Sequence, residues 1–129
     1  MIEELIDVYP KNVLLRKGLL ESFHYSAGAV EAVIVCNHGN GELKCSIFFD
    51  WIHSFRVTDE GDLLKMQHEQ NSAMISGVYK VANSPYLAWF HEQSAGVYTE
   101  EIVEHYMLVT NNDVIDVLSS IEPRLNVVC

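Results

Sequence analysis

Two nine-residue stretches, Ala29 to Asn37 and Leu43 to Trp51, are rich in Val, Ile, Cys and Phe, and His38-Gly39-Asn40-Gly41-Glu42 separates them. Asn-Gly between apolar runs marks a hairpin, because both residues tolerate the positive φ of a type I′ turn. With Asn40-Gly41 as a two-residue loop, Cys36 faces Cys45, Ile34 faces Ile47 and Ala32 faces Phe49. One face of the ribbon is then unbroken core: Val30, Ala32, Ile34, Cys36, Cys45, Ile47 and Phe49. The other mixes Glu31, Val33, Val35, Asn37, Lys44, Ser46, Phe48 and Asp50. A four-residue loop would shift every pair.

The same reading extends along the chain. Met1 to Val8 suggests a short helix closed by Tyr9-Pro10, and Lys17 to Tyr25 reads as extended, with a turn at Ser26-Ala27-Gly28. Ser54 to Thr58 and Leu63 to His68 alternate in step around Asp59-Glu60-Gly61-Asp62, which predicts a second hairpin. Met74 to Ala82 reads as a strand. Ser84-Pro85 is a helix start, since serine caps free amides and proline at the first position loses nothing. That helix runs through Tyr86 to Gln93, with Gly96 as its stop. Val103 to Thr110 and Asp113 to Ser119 flank Asn111-Asn112 as a third hairpin. It has Tyr106, Leu108, Ile115 and Val117 on one face and His105, Met107, Val109, Val114, Asp116 and Leu118 on the other.

Seven or eight strands joined by short turns, with one or two short helices, imply an α+β fold dominated by antiparallel strands. A curved sheet, half-barrel or sandwich would satisfy the pattern. The 129 residues suit a single domain.

Charge narrows the partners. The net charge is −10, and Val81 to Pro123 holds no lysine or arginine but carries Glu92, Glu100, Glu101, Glu104, Asp113, Asp116 and Glu122. Such a field repels phosphate backbones and anionic lipid and attracts basic partners. No apolar run approaches the ~20 residues of a bilayer span. An acidic N-terminus and an odd cysteine count without CxxC favour a cytoplasmic protein.

Several residues could carry chemistry, each with a plainer reading. Cys36 and Cys45, placed opposite, make either a redox pair or two reduced core thiols. His105 and Asp116 sit diagonally on one face, roughly 7 Å apart at the backbone. They are either half of a general-base arrangement, with no serine or cysteine placed to complete it, or a mutually satisfied polar pair. Glu31 and Asp50 face each other as like charges, which implies strand divergence, an intervening cation or a shared proton. The six histidines show no metal-binding spacing, so neither a metal nor a cofactor is expected. Asp59-Glu60-Gly61-Asp62 lacks calcium-loop ligands and reads as an acidic turn. Trp51, Trp89, Tyr86 and Phe90 are either an aromatic pocket or core.

Asn83-Ser84-Pro85-Tyr86-Leu87-Ala88-Trp89-Phe90, then Glu104-His105-Tyr106 and Thr110-Asn111-Asn112-Asp113-Val114-Ile115-Asp116-Val117, resemble small bacterial proteins of the immunity or mobile-gene-cassette kind. The resemblance covers Ser54 to Pro123 and implies a partner-binding role without catalytic residues to carry over. The leading expectation is a non-enzymatic interaction protein. Its acidic surface (Glu92, Glu100, Glu101, Glu104, Asp113 and Asp116) would bind a basic protein. The alternative is a small-ligand module or small enzyme with a pocket around His105 and Asp116, joined by Tyr106 and Trp89. Separately, the half-apolar face of Val33, Val35 and Phe48 could pair two copies as a homodimer.

Overall fold

Alternation at Val30, Ala32, Ile34 and Cys36 and at Cys45, Ile47 and Phe49 buries every one of these side chains. The computed structural model describes residues 2–8, 15, 17–37, 41–70, 74, 76–98 and 101–128. They form nine strands and two α-helices: β1 (Glu4–Asp7), β2 (Leu19–Ser26), β3 (Ala29–Asn37), β4 (Glu42–Phe49), β5 (Ser54–Asp59), α1 (Leu64–Glu69), β6 (Gly77–Ala82), α2 (Pro85–Gln93), β7 (Glu104–Val109), β8 (Asp113–Ser119) and β9 (Arg124–Val128). All pairings are antiparallel, in a five-stranded sheet ordered β1-β6-β7-β8-β5 and a four-stranded sheet ordered β2-β3-β4-β9.

The sheets stack as a sandwich. The core face of β3 and β4 meets Val78, Tyr106, Leu108, Ile115 and Val117 of the larger sheet in one cluster. Burying each of these side chains contributes roughly 1.5–3 kcal/mol. The opposite face of the larger sheet is covered by the helices. Leu63, just before α1, and Met66 within it pack on Tyr79, Val81, Met107, Val109 and Val114. Tyr86, Leu87 and Phe90 of α2 pack with Val103 and Leu118. The architecture is therefore the expected β-dominated α+β class in sandwich form. No helix among the described residues is long and apolar enough to cross a membrane.

One hairpin and one turn form as the sequence indicates. Val109 pairs with Val114 across the Asn111-Asn112 loop, so β7 and β8 carry the anticipated faces. Ser26 pairs with Ala29 across Ala27-Gly28, whose φ values of 48° and 87° suit a type I′ turn. A β-carbon on Gly28 would also lie 2.3 Å from the Trp51 ring, so glycine is required twice over.

Local expectations are corrected at three places in the chain. The β3–β4 register is two residues from the expected one: Asn37 pairs with Glu42, Cys36 with Leu43, Ile34 with Cys45 and Ala32 with Ile47. An even shift keeps every side chain on its face, which is why the core survives. Cys36 and Cys45 are consequently not opposed, and both are free buried thiols. Burial pushes the Cys36 thiol up to about 11, with the nearby Cys45 sulfur adding to the effect. Glu31 pairs with Phe48 rather than Asp50, and its carboxylate accepts the Ser46 hydroxyl at 2.8 Å.

The N-terminal stretch is a strand, not a helix. β1 pairs with β6 and sets Leu5 opposite Val81, where tertiary burial overrides local helix preference. Leu63 to His68 is likewise not a strand. Asp59 accepts the Gly61 amide at 2.8 Å, a 3-10 turn follows over Glu60–Asp62, and α1 begins at Leu64. Leu63 and Met66, three residues apart, both reach the core there, which a helix permits and a strand does not. β5 then pairs with β8 instead of with its neighbour in sequence.

Candidate functional site

β7 and β8 lie side by side in the larger sheet, so alternation puts His105 and Asp116 on its helix-covered face. The diagonal closes fully: His105 Nε2 and Asp116 Oδ1 are 2.6 Å apart, and the residues are only 0% and 2% exposed. Two groups that the sequence left unconnected extend this pair at either end.

The first is Ser84. Beyond β6, Asn83 takes the left-handed φ of 58°, which asparagine tolerates, and turns the chain out of the sheet onto its outer face. Ser84 then caps α2, its Oγ accepting the Leu87 amide at 3.0 Å and lying 2.6 Å from His105 Nδ1. The cap uses a lone pair of Oγ and leaves the hydroxyl proton to donate to Nδ1. The other ring nitrogen donates to Asp116.

The second is Arg56. β5–β8 pairing sets it directly opposite Asp116, and its Nε donates to Asp116 Oδ2 at 2.7 Å. Its side chain is 49% exposed, and the guanidinium carbon lies over the Tyr86 ring, 4.2 Å from its centroid. Tyr86 in turn meets His105 edge-on at 5.4 Å and stacks on Trp89 at 5.8 Å. Its hydroxyl bonds to Ser54, and burial holds that phenol above its ordinary pKa. The Glu3 carboxyl borders this cluster: burial raises its pKa, with His105 and Arg56 drawing it back and Asp116 adding to the rise.

The chain of contacts therefore runs from half-buried Ser84 through the buried His105 and Asp116 to exposed Arg56. It ends in an open groove of about 450 Å³ lined by Ser54, Phe55, Arg56, Pro85, Tyr86 and Trp89. A serine, a histidine and an aspartate in series invite comparison with a nucleophilic triad, but two features oppose that use. The residue after Ser84 is Pro85, which has no N–H to stabilise an oxyanion. The Ser84 oxygen is also engaged as a helix cap, and the imidazole behind it is closed to solvent. What the chain does achieve is to fix one guanidinium in place, with its Nε held by a carboxylate and its carbon set over an aromatic ring.

No family model matches this chain, and no curated protein or solved structure shows significant similarity to it. The site must be read from its own geometry.

The other anticipated site residues are dispersed. Glu92 is exposed in the last turn of α2 and Glu101 is exposed before β7, while Glu100 lies outside the described residues. Glu104 begins β7 and Asp113 begins β8, at opposite ends of one hairpin and so roughly 20 Å apart. Asp116 is buried, with both carboxylate oxygens engaged, and presents nothing to a partner. The one-sign field of the sequence is also interrupted in space, by Arg56 at Asp116 and by Lys80 at 3.9 Å from Glu122. Val33, Val35 and Phe48 are half-buried on the outer face of the smaller sheet. Polar groups share that face: Arg124 lies 5.1 Å over the Phe48 ring, and Lys44 pairs with Glu21 at 2.9 Å. Among the described residues no cluster of three or more His, Cys, Asp or Glu side chains could hold a metal ion.

The four aromatics Trp51, Trp89, Tyr86 and Phe90 do not share one pocket. Tyr86 and Trp89 line the groove, Phe90 packs on His53 and Tyr98, and Trp51 lies over Gly28.

Proposed function

We propose that this chain is a non-enzymatic interaction protein that docks a partner protein at the Arg56–Tyr86–Trp89 groove. The observation that carries the reading is the fixed guanidinium at an open aromatic surface. Arginine, tyrosine and tryptophan are the residue types that dominate binding energy at protein interfaces. Here Trp89 is 49% exposed and Phe55 37% exposed beside Arg56. A side chain already held in one orientation loses little entropy when a partner pairs with it. The groove is open rather than enclosing, which suits a protein surface better than a small molecule that would need most of its own area covered.

The acidic surface keeps a role in this reading, as a long-range field. A net charge of −10 speeds encounter with a basic partner and makes the association rate salt-dependent. The dispersed carboxylates steer, and the groove holds. The resemblance to immunity-type proteins points to the same class of function.

The test is affinity capture from the source lysate at low and high salt, using wild type, Trp89→Ala and a Glu92→Gln/Glu101→Gln/Glu104→Gln variant. A basic protein retained by wild type, lost by Trp89→Ala and only weakened by the triple variant is the expected result. A partner lost by the triple variant and kept by Trp89→Ala would refute the groove and restore the acidic epitope.

A further inference from the structure

β5 forms one wall of the groove and is also the last strand of its sheet. Strand alternation decides what its free edge offers. The Glu60 amide donates to Asn112 O at 2.9 Å, in register with the β5–β8 ladder. Counting back in steps of two, the amides of Thr58, Arg56 and Ser54 face β8, and those of Phe55, Val57 and Asp59 face outward. No backbone partner for these three outward amides exists among the described residues.

The side chains along this edge are exposed as well. Phe55 is 37% and Val57 46% exposed. Phe55 is braced by Phe23 at 5.0 Å and Tyr25 at 5.4 Å, across on β2. Arg56 points to the other face, into the groove. An unpaired edge with apolar side chains is a template for another strand.

Resting on the groove reading above, we infer that β5 accepts an extended polypeptide segment as an added strand, with a carboxylate set opposite Arg56. Cross-strand neighbours share a face, so the residue opposite Arg56 enters the groove beside Tyr86 and Trp89. A carboxylate there meets the guanidinium fork that Asp116 leaves open. The residues before and after it lie on the sandwich side, against Phe55 and Val57, and are apolar. Beyond this core the segment runs into a protein of net charge −10, so its flanks are basic. The recognised pattern is apolar–acid–apolar inside a net-basic stretch.

A phage-displayed random peptide library panned on the full chain tests this, followed by titration of a synthetic consensus peptide. Enrichment of the apolar–acid–apolar pattern is expected. Val57→Pro removes one outward amide and leaves the β8 ladder intact, so it should weaken the peptide at least tenfold, as should Trp89→Ala. A peptide weakened by Trp89→Ala but not by Val57→Pro overturns strand addition and leaves the groove standing. A peptide indifferent to both overturns both. On the wild-type chain, saturating peptide should slow hydrogen exchange at the Phe55, Val57 and Asp59 amides. Unchanged exchange there, or no enriched pattern, overturns the inference without relying on a variant that folds.

Discussion

Removing the Asp116 carboxylate should cost far more than its single ion pair to Arg56 would suggest, and the excess should vanish when His105 is removed with it. In Asp116→Leu two donors lose their acceptor. One is His105 Nε2–H, at a residue 0% exposed, where no water can replace the carboxylate. An orphaned buried donor costs about 1–3 kcal/mol, towards the upper end where the lost acceptor was a carboxylate. The other donor is Arg56, which is 49% exposed and solvates readily, so its share is about 0–1 kcal/mol. The single variant should therefore lose about 3 kcal/mol.

His105→Leu leaves Asp116 paired with Arg56 and Ser84 still capping α2, and should lose about 2 kcal/mol. The double variant exchanges both polar groups for apolar ones of similar size and should lose no more than about 2 kcal/mol in total. The coupling energy is then about 3 kcal/mol. Urea unfolding followed by tryptophan fluorescence reads all four states of the cycle. Additivity within about 0.5 kcal/mol would refute the claim that the pair acts as one buried unit.

Ser84→Ala removes a helix cap and the partner of His105 Nδ1 together, so it should cost about 2 kcal/mol or more, against about 1 for an ordinary cap; a loss under 1 in the same assay would show that the imidazole contact contributes nothing. Glu3 has its folded pKa raised by burial above the ordinary 4.5, so the folded state holds this proton more tightly and stability falls as pH rises through that window. Glu3→Gln should therefore be more stable than wild type at neutral pH, with the gap closing below about pH 4.5; thermal melts across pH check it, and a gap independent of pH would contradict it. In a Cys129→Ser background neither Cys36 nor Cys45 should be alkylated by iodoacetamide until the chain unfolds, since both thiols are buried and their pKa values raised; labelling of the folded protein, read by mass spectrometry, would contradict this.

Faces were legible in the sequence where pairing was local. The β7–β8 hairpin followed from Asn111-Asn112, and with it the convergence of His105 and Asp116. The core face of β3 and β4 followed from alternation alone, because an even register shift leaves it unchanged. Pairing between distant strands was not legible. Reading β5 as the partner of Leu63 to His68 hid its place beside β8, and so hid Arg56 opposite Asp116. Ser84 could be read as a helix cap from Ser-Pro, yet its second contact depends on Asn83 turning the chain over β7. The acidic run from Val81 to Pro123 does not translate into one patch. Adjacent carboxylates in a sequence scatter once strands reverse direction, and Arg56 and Lys80 enter the field from other strands.

Photo-crosslinking in the source cells tests the groove most directly. A benzoylphenylalanine placed at position 89, in the groove, should give a discrete adduct with one partner protein, and the same group at Val35, on the outer face of the smaller sheet, should give none. Adducts from position 35 with none from position 89 would contradict the account.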